Sequence, residues 1–136
     1  MENLEQEMVK NHRVAQFIIE RAQIWNKDTL MLSYNKDSNE GTISYEIEGE
    51  QRPLFNDDGD SGDNVRLAMA WFKNYASLDF NDDSVNQSGI FSVKGILSRS
   101  YCQKVSVDTI VDGNVEQMKI NILNTEENNG SSFYQF

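Results

Sequence analysis

The residues best suited to chemistry form an acidic loop over residues 56–63, with the sequence NDDGDSGD. A calcium loop of the helix–loop–helix type needs oxygen ligands at its first, third and fifth positions, glycine at the sixth and a bidentate Glu at the twelfth. Counting from Asn56 places Asp58 and Asp60 correctly, but Ser61 and Leu67 occupy the sixth and twelfth positions. We therefore predict no metal site here, and expect a loop that is solvated or faces a basic partner.

The residue types of nucleophilic catalysis are scarce, since His12 and Cys102 are the single histidine and the single cysteine of the chain. One histidine cannot form a metal site built from several histidines. A reactive cysteine needs a nearby base or a helix N-terminus, and Cys102 lies in a strand pattern followed by Gln and Lys. We expect His12 to be solvated and Cys102 to be unreactive.

Two carboxylate pairs, Asp57 with Asp58 and Asp82 with Asp83, are adjacent in sequence and lie in predicted loops. Hydrolysis by paired acids needs two carboxyl groups held on rigid elements at a set separation. No glycine-rich phosphate-binding motif occurs in the chain. The sequence therefore predicts a protein that is not an enzyme and has no cofactor.

Acidic side chains give the chain a formal net charge of −10, and their distribution is uneven. Residues 37–83 hold twelve acidic and three basic side chains, a net charge of −9. Nucleic-acid binding is disfavoured because phosphate contacts need clusters of Lys and Arg, whereas a basic protein would be steered toward such a surface. The alternative is that the charge only maintains solubility. The predicted partner-binding residues are Asp57, Asp58, Asp60, Asp63, Asp82 and Asp83.

The elements that position these residues are organised around a predicted helix over residues 64–80, NVRLAMAWFKNYASLDF. One apolar face has helical spacing, and a second stripe lies about 100° round the helix. Asp63 or Asn64 can cap its start. A helix apolar over this much of its circumference is buried on more than one side. We expect a curved sheet to wrap the helix, or another helix or a second chain to cover the second stripe; in the last case Leu67, Trp71 and Leu78 form the dimer interface.

The rest of the chain predicts the order α-β-β-α-β-β-β. The patterns indicate a first helix over 3–26 and strands over 30–35, 42–48, 88–97, 101–111 and 115–123, with a loop over 49–62 and a tight turn at 112–114. We expect one α+β domain over residues 1–124, in which a curved antiparallel sheet of about five strands carries two helices on one face. Residues 125–136 form a predicted tail ending in the aromatic residues Phe133, Tyr134 and Phe136.

The cellular setting follows from the same composition. A single cysteine allows no disulfide within the chain. The N-terminus is polar, and no apolar run approaches the ~20 residues that span a bilayer. We expect a cytoplasmic protein without membrane contact.

Three functions fit these observations. The first is a non-enzymatic binding protein whose acidic surface engages a basic protein partner, as an immunity protein or inhibitor of a basic toxin would, or a protein that mimics DNA. The second is a homodimeric, chaperone-like protein. The element order is also similar to that of small cone-shaped α+β folds, which predicts a third function: small-molecule binding in a pocket between sheet and helices, using Tyr34, Tyr45 or Tyr101.

Overall fold

The computed structural model describes residues 13–24, 28–53, 62–82, 84–94 and 101–127. These residues form two helices and six strands. They are α1 (Arg13–Ile24), β1 (Thr29–Asn35), β2 (Glu40–Ile47), β3 (Glu50–Pro53), α2 (Gly62–Tyr75), β4 (Ser88–Lys94), β5 (Tyr101–Asp112) and β6 (Val115–Glu127). The predicted α+β class is confirmed, with one strand more than expected.

The strands form one six-stranded sheet in the order β3-β2-β1-β6-β5-β4. Every neighbouring pair is antiparallel. The N-terminal hairpin β1–β2 and the C-terminal hairpin β5–β6 meet where β1 pairs with β6, with Leu32 opposite Met118. The sheet therefore depends on contacts between the two ends of the chain.

The additional strand, β3, lies inside the predicted loop over residues 49–62. It follows a two-residue turn, in which Glu48 has a φ of 51° and Gly49 a φ of 82°. Positive φ at both central residues gives the twist that joins two antiparallel strands tightly. All four residues of β3 are exposed, so this edge strand lacks the alternation of apolar and polar residues that predicts a strand.

The central helix α2 ends at Tyr75, earlier than the predicted end near Phe80. The chain closes the helix with a hydrogen bond from Leu78 N to Lys73 O of 2.8 Å, and Ser77 adopts a left-handed φ of 61°. This is the six-to-one closure of a helix C-terminus, in which glycine usually occupies the left-handed position. Because Ser77 occupies it here, the sequence carries no glycine signal for the stop.

Both helices pack on one face of the sheet around a single core. Strand residues alternate between this core and the opposite face, as period-two patterns predict. The fully buried large side chains are Phe72, Ile18, Ile19, Leu30, Leu32, Met118, Ile120, Val65, Val93, Val105 and Val107. The ring of Tyr75 joins Phe72 and Phe91 at centroid distances of 6.3 and 5.3 Å.

The start of α2 lies very close to the β1–β2 hairpin. A Cβ atom on Gly41 would lie 2.6 Å from Cβ of Val65, and one on Gly62 would lie 1.8 Å from the backbone oxygen of Asn39. Only glycine allows the backbone to approach the Val65 side chain at Gly41 and the Asn39 backbone at Gly62 this closely. These two contacts set the position at which α2 begins over the sheet.

Some predictions fall wholly or partly outside the described residues. The first predicted helix is described only as α1, and His12 and the loop over residues 54–61 lie outside. Strand β6 continues to Glu127, three residues into the predicted tail. Phe133, Tyr134 and Phe136 lie outside the described part of the chain. Among the residues that the structure describes, no helix is long and apolar enough to cross a membrane.

Candidate acidic interface

Acidic side chains from four separate segments meet at one end of the sheet. This end carries the β1–β2 turn, the β5–β6 turn, the start of α2 and the connection from α2 to β4. We name the acidic residues at this end the acidic rim: Asp37, Glu40, Asp63, Asp79, Asp82 and Asp112. Five of them are exposed and Asp82 is partly exposed. The rim is a surface that no single stretch of sequence contains.

The β1–β2 turn joins the start of α2 through side-chain hydrogen bonds. Asn39 Nδ2 donates to Asp63 Oδ1 at 3.3 Å, and the hydroxyl of Tyr34 donates to Asn39 Oδ1 at 2.6 Å. Asp63 lies in the first turn of α2, where the helix dipole favours a negative charge. These bonds hold the Asp63 carboxylate beside the hairpin.

The same β1–β2 turn is bonded to the β5–β6 turn. Lys36 N donates to the backbone oxygen of Asn114 at 2.9 Å. The side-chain amide of Asn114 donates to a carboxylate oxygen of Asp37. Asp112, opposite Val115 in the register, lies next to this junction. The two turns therefore carry their acidic residues as one unit.

The third part of the rim is anchored by a buried ion pair. Lys73 Nζ of α2 lies 2.7 Å from Glu116 Oε2 of β6, and the two side chains are only 3% and 6% exposed. The same Nζ donates to the backbone oxygen of Asp82 at 3.0 Å. Because Glu116 is opposite Tyr34 in the β1–β6 register, this anchor lies at the same end of the sheet as Asp63.

Gln87 closes the connection between α2 and β4. Its side-chain amide donates to the backbone oxygens of Asp79 and Asp82 at 2.9 and 3.1 Å, and its Oε1 accepts from Asp79 N at 2.8 Å. The backbone of Gln87 is itself bonded to Thr109 of β5 at 2.8 Å. The loop that carries Asp79 and Asp82 is thus tied to both the helix and the sheet.

The carboxylate of Asp82 is stabilised in its charged form. The hydroxyl of Ser84 donates to Asp82 Oδ1 at 2.6 Å and the Ser84 N–H donates at 2.9 Å. These two bonds, followed by the positive charge of Lys73, hold the pKa of Asp82 below its usual value. Asp82 therefore keeps its negative charge at any pH near neutrality.

The ion pair between Lys73 and Glu116 was not predicted, although the sequence contains a signal for half of it. Glu116 shares the inward face of β6 with Met118, Ile120 and Ile122. An acidic residue on an apolar strand face requires a buried cation as partner, because an unpaired buried charge is very costly. Nothing in the sequence alone indicates that Lys73, on another element, is that partner.

Charge at this end remains negative when nearby cations are counted. Lys73 is neutralised by Glu116, and neither side chain contributes to the surface. Lys36 in the β1–β2 turn is exposed and Arg66 in α2 is partly exposed. Apart from that buried pair, the described part of this end thus carries six acidic side chains and two basic ones. This excess of negative charge produces a negative potential that attracts cationic groups.

The predicted partner-binding residues divide into two groups. Asp63 and Asp82 are brought to the same rim. Asp57, Asp58, Asp60 and Asp83 lie outside the described residues. The sequence interpretation missed Asp37, Glu40, Asp79 and Asp112 as members of one surface, because the tertiary fold alone brings their three segments together.

The predicted dimer stripe is only partly exposed. Leu67 is buried at 8% exposure in a small cluster with Ala70, on which Trp71 and Phe80 pack. Trp71 also contacts the main core, and its ring centroid lies 5.4 Å from that of Tyr75. Leu78 lies beyond the end of α2, where it packs on the main core and stays partly exposed.

A cavity of about 680 Å³ lies along β2 and β3 beside the start of α2. Its lining includes the polar side chains of Arg52, Gln51, Thr42 and Asn39 beside apolar surface from Ile43 and Pro53. This location differs from the predicted pocket between sheet and helices, where buried core side chains fill the described interior. Within the described ranges, no three His, Cys, Asp or Glu side chains are placed to hold a metal ion.

Comparison with known proteins does not assign this chain to a family. No protein-family model matches the chain, and no curated protein matches it significantly in sequence. Function must therefore be argued from the site itself.

Proposed function

We propose that this protein is a non-enzymatic binding protein whose acidic rim engages a basic surface of a partner protein. The observation that carries the proposal is the convergence of six acidic side chains from four segments at one end of the sheet. Complementary charge across an interface increases the association rate and selects partners. A partner with a cluster of Lys or Arg residues meets this requirement.

Rigidity of the rim supports the same role. The segments that carry it are tied by hydrogen bonds between Asn39 and Asp63, between Asn114 and Asp37, and between Gln87 and Asp82. A binding surface that is already ordered loses less conformational entropy when the partner docks. The rim therefore differs from a solubilising charge spread over mobile side chains.

The charge also separates protein partners from nucleic acids. Phosphate groups would be repelled by the rim, since binding to them requires neutralising Lys and Arg contacts. An inhibitor or immunity protein that covers a basic active site, or a protein that mimics DNA, would present such a surface. We place this role in the cytoplasm, which is compatible with the single cysteine.

The proposal is tested with two triple variants of equal charge. The rim variant combines Glu40→Gln, Asp63→Asn and Asp112→Asn. The control variant combines Glu46→Gln, Glu48→Gln and Glu50→Gln, three exposed residues at the opposite end of β2. Both change the net charge from −10 to −7. The ends of β2 are about 23 Å apart at ~3.3 Å per residue, which exceeds the screening length of about 8 Å at physiological salt.

Partners are captured from a lysate by the immobilised wild-type protein and by both variants, and identified by mass spectrometry. At about 0.1 M salt we expect the wild-type protein and the control variant to retain a basic protein that the rim variant does not retain. Raising the salt to about 0.5 M should release this protein from the wild type and from the control variant. Equal loss in both variants would show a nonspecific charge effect. Retention by the rim variant would place the contact elsewhere and refute the proposal.

A further inference from the structure

Strand β4 forms one edge of the sheet, and no described strand pairs with its outer side. It pairs with β5 from Ser88 opposite Asp108 to Lys94 opposite Cys102. Its sequence SGIFSVK has no proline and no charged residue before Lys94. Natural edge strands are usually shortened, charged, interrupted by proline or covered, because an open edge recruits another strand.

The register shows which backbone groups of β4 are open. Thr109 N donates to Gln87 O at 2.8 Å and Gln87 N donates to Thr109 Oγ1 at 2.8 Å, so Gln87, directly before β4, forms a hydrogen-bonded pair with Thr109 of β5. Bonded pairs alternate along an antiparallel ladder. The N–H and C=O groups of Ile90 and Ser92 therefore point away from β5, and among the described residues they meet no hydrogen-bond partner.

The opposite edge of the sheet is protected by contrast. Strand β3 has only four residues, and it ends in Pro53. It carries Glu50 and Arg52, which form an exposed ion pair at 3.1 Å. Short length, charge and proline are the usual protections of an edge. The two edges differ, so β4 is the edge that is suited to pairing.

We propose that two copies of this chain associate through antiparallel pairing of β4 with the partner's β4. A two-fold axis at Phe91 places all seven residues of β4 opposite residues of the partner's β4. The backbone N–H and C=O groups of Ile90 then form hydrogen bonds with those of the partner's Ser92. Both copies contribute the open groups identified above, so the edge is complementary to itself under this rotation. The result is one continuous sheet formed from two six-stranded sheets.

Side chains beside the edge favour a second copy as the occupant. Ile90 is 54% exposed on the outer face. On the inner face, a Cβ atom on Gly89 would lie 2.6 Å from the backbone oxygen of Ala76 and 3.1 Å from Leu78 Cδ2, so the segment after α2 already covers Gly89. In the proposed register Gly89 lies opposite the partner's Val93. Val93 is fully buried in its own core, so the apolar contact across the axis lies on the outer face, where the Ile90 residues of the two copies are diagonal neighbours.

Charge along the edge also fits the antiparallel arrangement. Asp108 lies beside the start of β4, where Ser88 Oγ donates to it at 2.7 Å. Exposed Lys104 lies beside the far end, opposite Ser92. Antiparallel pairing directs the acidic end of each copy toward the basic end of the other. An added strand with basic residues throughout would instead approach Lys104.

Self-association responds to salt in the direction opposite to binding of a basic partner. Each copy carries a net charge of −10, so the two copies repel each other. Screening this repulsion strengthens the dimer, whereas screening weakens attraction to a basic protein. The two proposals can therefore fail independently.

The test is the molecular mass of the full chain in solution, measured by sedimentation from about 1 µM to about 1 mM, a range that covers weak affinities. We expect a monomer of 15.6 kDa in equilibrium with a dimer, which becomes more populated near 0.5 M salt. Ile90→Lys weakens dimerisation about tenfold or more, since a lysine on an edge blocks strand pairing. Ile110→Lys, at an equally exposed outer-face residue of β5 (54%), leaves it unchanged.

Two further measurements keep the test decisive if Ile90→Lys disturbs folding. Ser92→Pro removes an N–H that β5 does not use, so it abolishes the dimer and leaves the monomer folded. In hydrogen exchange, the Ile90 and Ser92 amides gain protection as concentration rises. A monomer at all concentrations, equal effects of Ile90→Lys and Ile110→Lys, or a dimer broken only by Trp71→Lys would overturn the proposal.

Discussion

Replacing Lys73 with methionine tests whether the buried ion pair holds the rim and the fold together. Methionine keeps most of the side-chain volume and removes the charge. Glu116 would then lose the partner at 2.7 Å from its carboxylate, in surroundings where its side chain is only 6% exposed. The backbone oxygen of Asp82 would lose the hydrogen bond from Lys73 and keep the one from the Gln87 side-chain amide at 3.1 Å.

The magnitude follows from this burial. Removing one member of a buried ion pair destabilises a protein by about 3–5 kcal/mol, because the remaining charge is uncompensated. For a chain of 136 residues this loss lowers the melting temperature by about 10–15 °C. It is also a large part of the ~5–15 kcal/mol by which most domains are stable.

Urea unfolding followed by circular dichroism measures the free energy of unfolding of each variant. The control is Lys119→Met, at an exposed lysine of β6, which we expect to change stability by less than about 0.5 kcal/mol. The double variant Lys73→Met with Glu116→Leu removes both charges and should recover most of the loss. A loss below about 1 kcal/mol for Lys73→Met, or no recovery in the double variant, would refute the reasoning.

Three further changes test local features of the fold. Ser77→Gly relieves a φ of 61° and should raise the free energy of unfolding by about 0.5–1 kcal/mol; a loss in urea unfolding would contradict the helix closure. Gly62→Ala would place a Cβ atom 1.8 Å from Asn39 O, so we expect a melting temperature lowered by several degrees, and an unchanged value would contradict the close approach. Because the pKa of Asp82 is lowered in the folded protein, its carboxylate contributes stability at pH values above the usual aspartate pKa, and this stability is lost as the pH falls through the folded pKa. Ser84→Ala should therefore reduce stability near neutral pH, with the difference from wild type narrowing in acid, and a difference that is constant with pH would count against this.

The strand and helix patterns predicted most of the fold because they reflect which face of each element is buried. Ile43 lies between polar Thr42 and Ser44, and it is buried as period two predicts. Two parts could not be predicted. All four residues of β3 are exposed, so its sequence has no alternation of apolar and polar residues that would predict a strand. The end of α2 depends on a left-handed Ser77, a conformation for which serine gives no signal.

The candidate site was predictable only as an excess of charge. Twelve acidic residues between positions 37 and 83 indicate an acidic surface. Which of them share a surface depends on the pairing of Tyr34 with Glu116 and on the contact of Lys73 with Asp82. These contacts join residues far apart in the chain, and no local pattern records them. Asp112, which belongs to the C-terminal hairpin, lies outside the segment that carries the excess.

The central claim is that the acidic rim, rather than the total charge, binds a basic protein. The most direct test is the Kd of the captured partner, once purified, for the wild-type protein and for both triple variants, measured by calorimetry at about 0.1 M salt. We predict that the rim variant binds at least about tenfold more weakly than the control variant, a difference of ~1.4 kcal/mol. Equal Kd values for the two variants would contradict the claim.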